Sequence, residues 1–198
     1  TSIIEKTAID RKRQRLISDL HDGMGSHLVN ILALTEVKSL SNKDISLVAQ
    51  RALTDLRMVI HSLDIEDSDL NYALALYRDQ ITPVLTHLNI EIEWSMVNLP
   101  TIRHTGPSQI LGILRIMQEA VSNAQKHGAP NKISFVGHMD NHSNASIVIE
   151  NTGGIAFKEI TGSGIGLASM RSRASDLGGY IELYRLKTGT RLVINLPP

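Results

Sequence analysis

The chain has 198 residues and a mass of 21.8 kDa, enough for one or two domains with a real hydrophobic core. Hydrophobic residues make up 42% and charged residues 20%, which excludes disorder as the default, and 20 Lys plus Arg against 20 Asp plus Glu excludes a chain-wide basic footprint for nucleic acid. Cysteine is absent, which excludes a disulfide framework, a thiolate metal site and a cysteine nucleophile, and fits a reducing compartment. No apolar run approaches the roughly 20 residues that cross a bilayer, and no secretory signal is visible.

Residues 1–66 contain no proline, and their only glycines are Gly23 and Gly25. Ile9, Leu16, Leu20, Met24, Leu28 and Ile31 recur at helical spacing. After a break at Ser41-Asn42-Lys43, a second stripe runs Ile45, Val48, Ala49, Ala52, Leu56, Val59, Ile60 and Leu63. Ser41 or Asn42 suits the N-cap of the second helix, with Asp44 in its first turn. Two such helices make a hairpin with too little core to stand alone, and pairing two hairpins into a four-helix bundle buries both stripes. The expectation is a homodimer through residues 1–66; the alternative is a hairpin that packs on the chain's own second half.

From Asp69 onward the pattern changes. Tyr72 to Leu88 reads as a helix and the alternating Ile90 to Trp94 as a strand, with Trp94 in the core. Pro107 to His127 reads as a helix, with Pro107 suited to its first turn. Lys132 to Val136 and Ser146 to Ile149 read as strands. A glycine-rich stretch leads into a helix from about Leu167 to Leu177, which Gly178-Gly179 ends. Tyr180 to Leu186 and Thr190 to Leu196 close the chain as a hairpin around Lys187-Thr188-Gly189. Residues 70–198 are therefore expected to form an α+β sandwich, with helices on one face of a mixed sheet.

Two features of this half carry chemistry. Glu150-Asn151-Thr152-Gly153-Gly154 follows a strand, and Gly162-Ser163-Gly164-Ile165-Gly166-Leu167 leads into a helix. Glycines before a helix let backbone N–H groups face an anion, and the helix N-terminus adds partial positive charge. No βαβ unit surrounds the stretch and no Gly-Lys-Ser/Thr follows it, so it is neither a Rossmann fingerprint nor a P-loop. On spacing alone it is a phosphate cradle or a flexible loop. Upstream, Glu119, Asn123 and Lys126 stand at i, i+4 and i+7, on one side of a helix. An acid, an amide and a cation there suit either a metal-bound triphosphate or a solvated face.

Together these features resemble the GHKL ATPase family, with its Bergerat-type fold. Met117 to His127 is similar to that family's N box, Glu150 to Gly154 to its G1 box, and Gly162 to Gly166 to its G2 box. The resemblance implies that Asn123 coordinates Mg²⁺ and that Glu150 contacts the adenine amino group. It implies an ATP site completed by Glu119, Lys126, His127, Gly154, Gly162, Gly164, Gly166, Leu167 and Thr190. The sequence departs from the family's Asp-x-Gly-x-Gly: Glu150 stands for the Asp and Thr152 for the first Gly. The lid between Gly154 and Gly162 is very short.

Asp19-Leu20-His21-Asp22-Gly23-Met24-Gly25 lies within the first helix, where each glycine costs about 1 kcal/mol relative to Ala. Small residues beside His21 let a bulky partner approach. A neutral imidazole is a competent nucleophile near pH 7, and a neighbouring carboxylate accepts its other proton. By itself His21 reads first as an ordinary helix-surface histidine. Arg11 to Leu28, centred on Leu20-His21-Asp22-Gly23, resembles the HisKA_3-type dimerisation and phosphoacceptor segment of histidine kinases that partner NarL/LuxR-type response regulators. Gly189-Thr190 and Leu196-Pro197 resemble that family's ending.

The resemblance covers nearly the whole chain. It implies a cytoplasmic kinase core that uses ATP and Mg²⁺, with His21 phosphorylated, Asp22 as its base and a receiver-domain aspartate as phosphoryl acceptor. It implies no direct nucleic-acid partner, and a sensor or membrane segment before Thr1. Ser26 stands where many members carry a Gln or His that positions water, and His27 is next. Two other readings are compatible: a non-catalytic dimeric scaffold with a degenerate nucleotide site, and a GHKL ATPase in which Glu119 activates water. Arg11-Lys12-Arg13 and Arg15 read as a solvated face, and His138, Asp140 and His142 as turn residues, not metal ligands.

Overall fold

Alternating apolar residues and turn signals give five strands, and two amphipathic helices and one shorter helix cover them. The structure, a computed structural model, describes residues 70–99, 107–139, 144–154 and 165–196. The expectations for residues 1–66, including the bundle, the dimer, His21 and Asp22, lie outside the described residues, as do Gly162 and Gly164. The elements in chain order are α1 (Leu70–His87), β1 (Glu91–Ser95), α2 (Pro107–Asn123), β2 (Lys132–Met139), β3 (Ala145–Thr152), α3 (Ile165–Asp176), β4 (Tyr180–Leu186) and β5 (Gly189–Asn195).

The strands form one mixed sheet in the order β1-β2-β3-β5-β4. β1 pairs with β2 in parallel, while β2–β3, β3–β5 and β5–β4 are antiparallel. The parallel pair follows from the intervening α2, because a parallel connection must cross over. Side chains alternate between faces along a strand. Ile133 and Phe135, Ile147 and Ile149, and Leu192 and Ile194 share one face across the registers and are all buried. They meet Leu74, Tyr77 and Leu85 of α1 and Ile110, Ile113, Ile116 and Met117 of α2 within one apolar core. Tyr77, Trp94 and Phe135 cluster with ring centroids 5.0–6.3 Å apart, and Trp94 itself is half-buried at the edge strand. The opposite face is mixed: Val136, Val148 and Val193 stand in register among polar side chains. Lys132 sits 2.7 Å from Glu93, whose hydrogen bond and charge raise the ammonium pKa.

The elements match the expected order, and β2 and β3 run longer than their apolar cores suggested. The sharpest difference follows Asn123. There α2 gives way to a π-helical turn, Ala124–Gly128, which ends at Ala129 with φ 42° and ψ 53°. A left-handed Ala is unfavourable by about 1–2 kcal/mol, so tertiary contacts hold it there.

Candidate nucleotide site

The chemistry-bearing residues gather at one end of the sheet, where β3 ends and β5 begins. Four glycines mark how closely the segments approach. An added Cβ on Gly154 would lie 1.8 Å from the Gly128 carbonyl oxygen, so the loop after β3 presses on the π-helical turn. Gly153, at φ +77°, packs against the Asn131 side chain in the same way. A Cβ on Gly166, in the first turn of α3, would lie 2.2 Å from Glu119 Oε1 of α2. A Cβ on Gly189 would lie 1.8 Å from the Asn151 carbonyl oxygen. The Gly154 N–H also donates to the Thr188 carbonyl at 3.3 Å, tying this loop to the β4–β5 turn.

Among the expected site residues, Glu119 and Gly166 are therefore brought together, with buried Leu167 beside them. Asn123 is half-buried at the end of α2, one helical turn beyond Glu119. Lys126 and His127 lie exposed within the π-helical turn. A π turn is wider than an α turn, so it breaks the i, i+4, i+7 stripe: Lys126 leaves the line of Glu119 and Asn123, and His127 rotates toward it. His138 is exposed near the end of β2, and Asp140 and His142 lie outside the described residues.

Glu150 and Asn151 occupy opposite faces of β3. The Glu150 carboxylate accepts a hydrogen bond from Arg191 Nε at 2.7 Å on the face away from the helices. Asn151 follows Ile147 and Ile149 on the buried face and is only 3% exposed. Its Oδ1 accepts from the Thr190 backbone N–H at 3.1 Å and from the Thr190 hydroxyl. Its Nδ2 is buried without a hydrogen-bond partner among the described residues. The Thr190 N–H can only donate, so it fixes which end of the amide is the oxygen. Sequence reasoning singled out Glu150 and Thr190 and passed over Asn151. The apolar alternation Ile147, Ile149 was the available signal that residue 151 shares their face.

These features fit a nucleotide. The orphaned buried donor of Asn151 offers a hydrogen bond to a base. Glu119 and Asn123 supply oxygen ligands of the kind Mg²⁺ takes, one from a carboxylate and one from an amide. No cluster of three or more acidic or histidine side chains suited to a metal occurs among the described residues. A Mg²⁺ held largely by phosphates and water needs none.

Residues 108–198 match the family model of histidine kinase-, DNA gyrase B- and HSP90-like ATPases. The chain is 28% identical, over a 209-residue alignment, to the sensor histidine kinase LiaS of Bacillus subtilis, covering 98% of this chain and 56% of that protein. It is 25% identical to the sensor histidine kinase YxjM of the same organism, covering 96% of this chain and 48% of that protein. The chain thus spans about half the length of the curated relatives it matches. Among solved structures, the histidine kinase domain of the blue-light activated kinase EL346 from Erythrobacter litoralis superposes with a TM-score of 0.64 at 13% identity, covering 94% of each chain. The catalytic domain of histidine kinase ThkA gives 0.51 at 18% identity, covering 66% of this chain and 94% of that one. These superpositions speak to fold alone. No helix among the described residues is long and apolar enough to cross a membrane.

Proposed function

We propose that this chain, which is homologous to sensor histidine kinases and carries their type of ATPase domain, is the catalytic portion of such a kinase. It would use Mg·ATP to phosphorylate His21 and pass the phosphoryl group to an aspartate of a NarL/LuxR-type response regulator. One observation carries the reading: the acid–amide helix, the two described glycine segments and the Asn151–Thr190 pair converge at one end of the sheet. Asn151 and Thr190 would hold the base, Gly153 and Gly154 would let the loop after β3 pack against Asn131 and the π-helical turn, and Asn123 with Glu119 would hold Mg²⁺. The nucleotide supplies an activated γ-phosphoryl group. His21 contributes an imidazole nitrogen that bonds to phosphorus as the bond to the leaving ADP oxygen breaks. Asp22 takes the proton from the ring. The protein's part is mostly positioning and charge stabilisation, as phosphoryl transfer requires. Residues 1–66 would supply the homodimer and the acceptor, and a sensor outside this chain would bias their approach to the ATPase half.

The test is autophosphorylation with γ-labelled ATP and Mg²⁺, comparing the unaltered chain with His21→Gln. Acid-labile, base-stable label on the unaltered chain alone is the expected result. Bound ATP with no label on either protein would favour the non-catalytic scaffold. Steady phosphate release that survives His21→Ala would favour an ATPase of another kind.

A further inference from the structure

We propose that the free edge of β1 docks an extended segment of another protein, one that alternates basic and apolar residues, as an added antiparallel strand. This edge lies two strands away from β3, and the proposal does not depend on the nucleotide-site reading.

β1 stands at the end of the order β1-β2-β3-β5-β4, with no strand on its other side among the described residues. The Glu91 N–H donates to the Asn131 carbonyl at 2.8 Å, so Glu91 and Glu93 turn their backbone groups toward β2. Alternate residues turn the other way, which leaves the N–H and C=O groups of Ile92 and Trp94 pointing out from the edge. The side chains of the same two residues face α1 and line an open cavity of about 440 Å³ with Arg78, Asp79, Thr82 and Pro83. Trp94 is braced from behind by Phe135 and Tyr77, at ring-centroid distances of 5.0 and 6.3 Å. Arg78 and Asp79 pair at 3.1 Å, so they leave no net charge at the cavity. A strand laid along β1 would bond through its backbone to Ile92 and Trp94 and turn every second side chain into this cavity, where an apolar residue fits.

The other face of β1 sets the charge. Glu91 and Glu93 stand there with side chains 69% and 55% exposed, and they share one cation, Lys132, at 3.5 and 2.7 Å. Two carboxylates against one ammonium leave one negative charge beside the edge. Side chains directly opposite across a strand pair attract when their charges differ and repel when they match. A second copy of β1 would set Glu against Glu in the registers centred on Ile92 or Glu93, so charge disfavours self-pairing. Lys or Arg opposite Glu91 and Glu93 complements it. The occupant is therefore basic on one face and apolar on the other, over the 5 residues of Glu91–Ser95.

The experiment titrates end-blocked peptides into the full chain and reads the fluorescence of Trp94, the only tryptophan. Lys-Val-Lys-Val-Lys should give a saturable change. Glu-Val-Glu-Val-Glu should bind about tenfold more weakly or worse. N-methylation of both valine amides, which face β1 in the antiparallel register, should weaken the basic peptide by about tenfold as well, and N-methylation of its inner lysine amide, which faces solvent, should not. Glu91→Gln combined with Glu93→Gln should weaken it about threefold. A basic peptide without saturable effect up to millimolar concentration would overturn the proposal. So would equal binding of the acidic peptide, or of the peptide methylated at valine, since the cavity would then take side chains without an added strand. A Trp94 signal that changes with protein concentration in the absence of peptide would put a second copy on the edge and overturn it too.

Discussion

Replacing Gly154 with Ala should unfold the C-terminal half far more readily than replacing Gly166 with Ala, although both added methyl groups clash on paper. At Gly154 the new Cβ would sit 1.8 Å from the Gly128 carbonyl oxygen and 2.8 Å from that of Ala129, against a lower limit near 3.0 Å for real contacts. Both obstacles are backbone, held in a π-helical turn and a left-handed residue, so relief requires moving main chain by more than about 1 Å. Overpacking of this kind costs roughly 3 kcal/mol or more. At Gly166 the obstacle, at 2.2 Å, is Oε1 at the far end of the Glu119 side chain, which can rotate away. The Ala also gains a few tenths of a kcal/mol of helix propensity in α3, so the net change should be about 1 kcal/mol or less. Guanidinium titration followed by fluorescence is the assay, because Trp94 is the only tryptophan and packs against Tyr77 and Phe135 in this half. The Gly154→Ala midpoint should fall sharply at unchanged slope, and the Gly166→Ala midpoint should barely move. The two should trade places in nucleotide binding per folded molecule, since Gly166→Ala displaces Glu119. Equal stability losses, or a larger one at Gly166, would refute the distinction between backbone and side-chain obstacles.

Three further outcomes follow from single residues. Ala129→Gly should stabilise the protein by about 1 kcal/mol, because glycine adopts φ 42° without the Cβ strain; a loss in the same titration would mean the methyl group does more than the strain costs. Tyr77 is buried, its hydroxyl has no partner among the described residues, and burial pushes its pKa up. Tyr77→Phe should therefore be neutral or stabilising by up to about 1 kcal/mol, and a loss of that size would reveal a partner for the hydroxyl. The Lys132 pKa is raised first by its hydrogen bond to Glu93, so the protonated lysine stabilises the folded state below its unfolded pKa, and that contribution is lost as pH rises through the folded value. Lys132→Met should flatten the alkaline limb of a stability–pH curve; identical limbs would show that the ion pair contributes nothing measurable.

Much of the C-terminal half was legible in the linear pattern. The period of 3.6 in Ile110, Ile113, Leu114 and Met117 and the period of 2 in Ile147 and Ile149 follow from local geometry, so the helices and strands stand where hydrophobic spacing puts them. Gly154 and Gly166, both expected at the site, stand where an added Cβ would meet the Gly128 carbonyl or the Glu119 side chain, a demand visible as residue type. The acid–amide helix carried the same information. The face that Glu150 takes was different in kind. The family resemblance implied the carboxylate as a base contact, while strand alternation puts it on the face away from the core, with Arg191. A shift of one residue in a strand reverses which side chain faces the core, and motif spacing by itself does not carry that parity.

Local pattern thus determined the kinds of element, their order and the segments from which a site is built, because periodicity, turn chemistry and glycine tolerance act over a few residues. Tertiary structure alone decided the strand order β1-β2-β3-β5-β4, the π-helical turn that breaks the Glu119–Asn123–Lys126 stripe, and the commitment of the Asn151 oxygen to Thr190. Those depend on groups far apart in the chain, such as Asn151 and Thr190, meeting at fixed distances. Only the packed sheet and its helices set those distances.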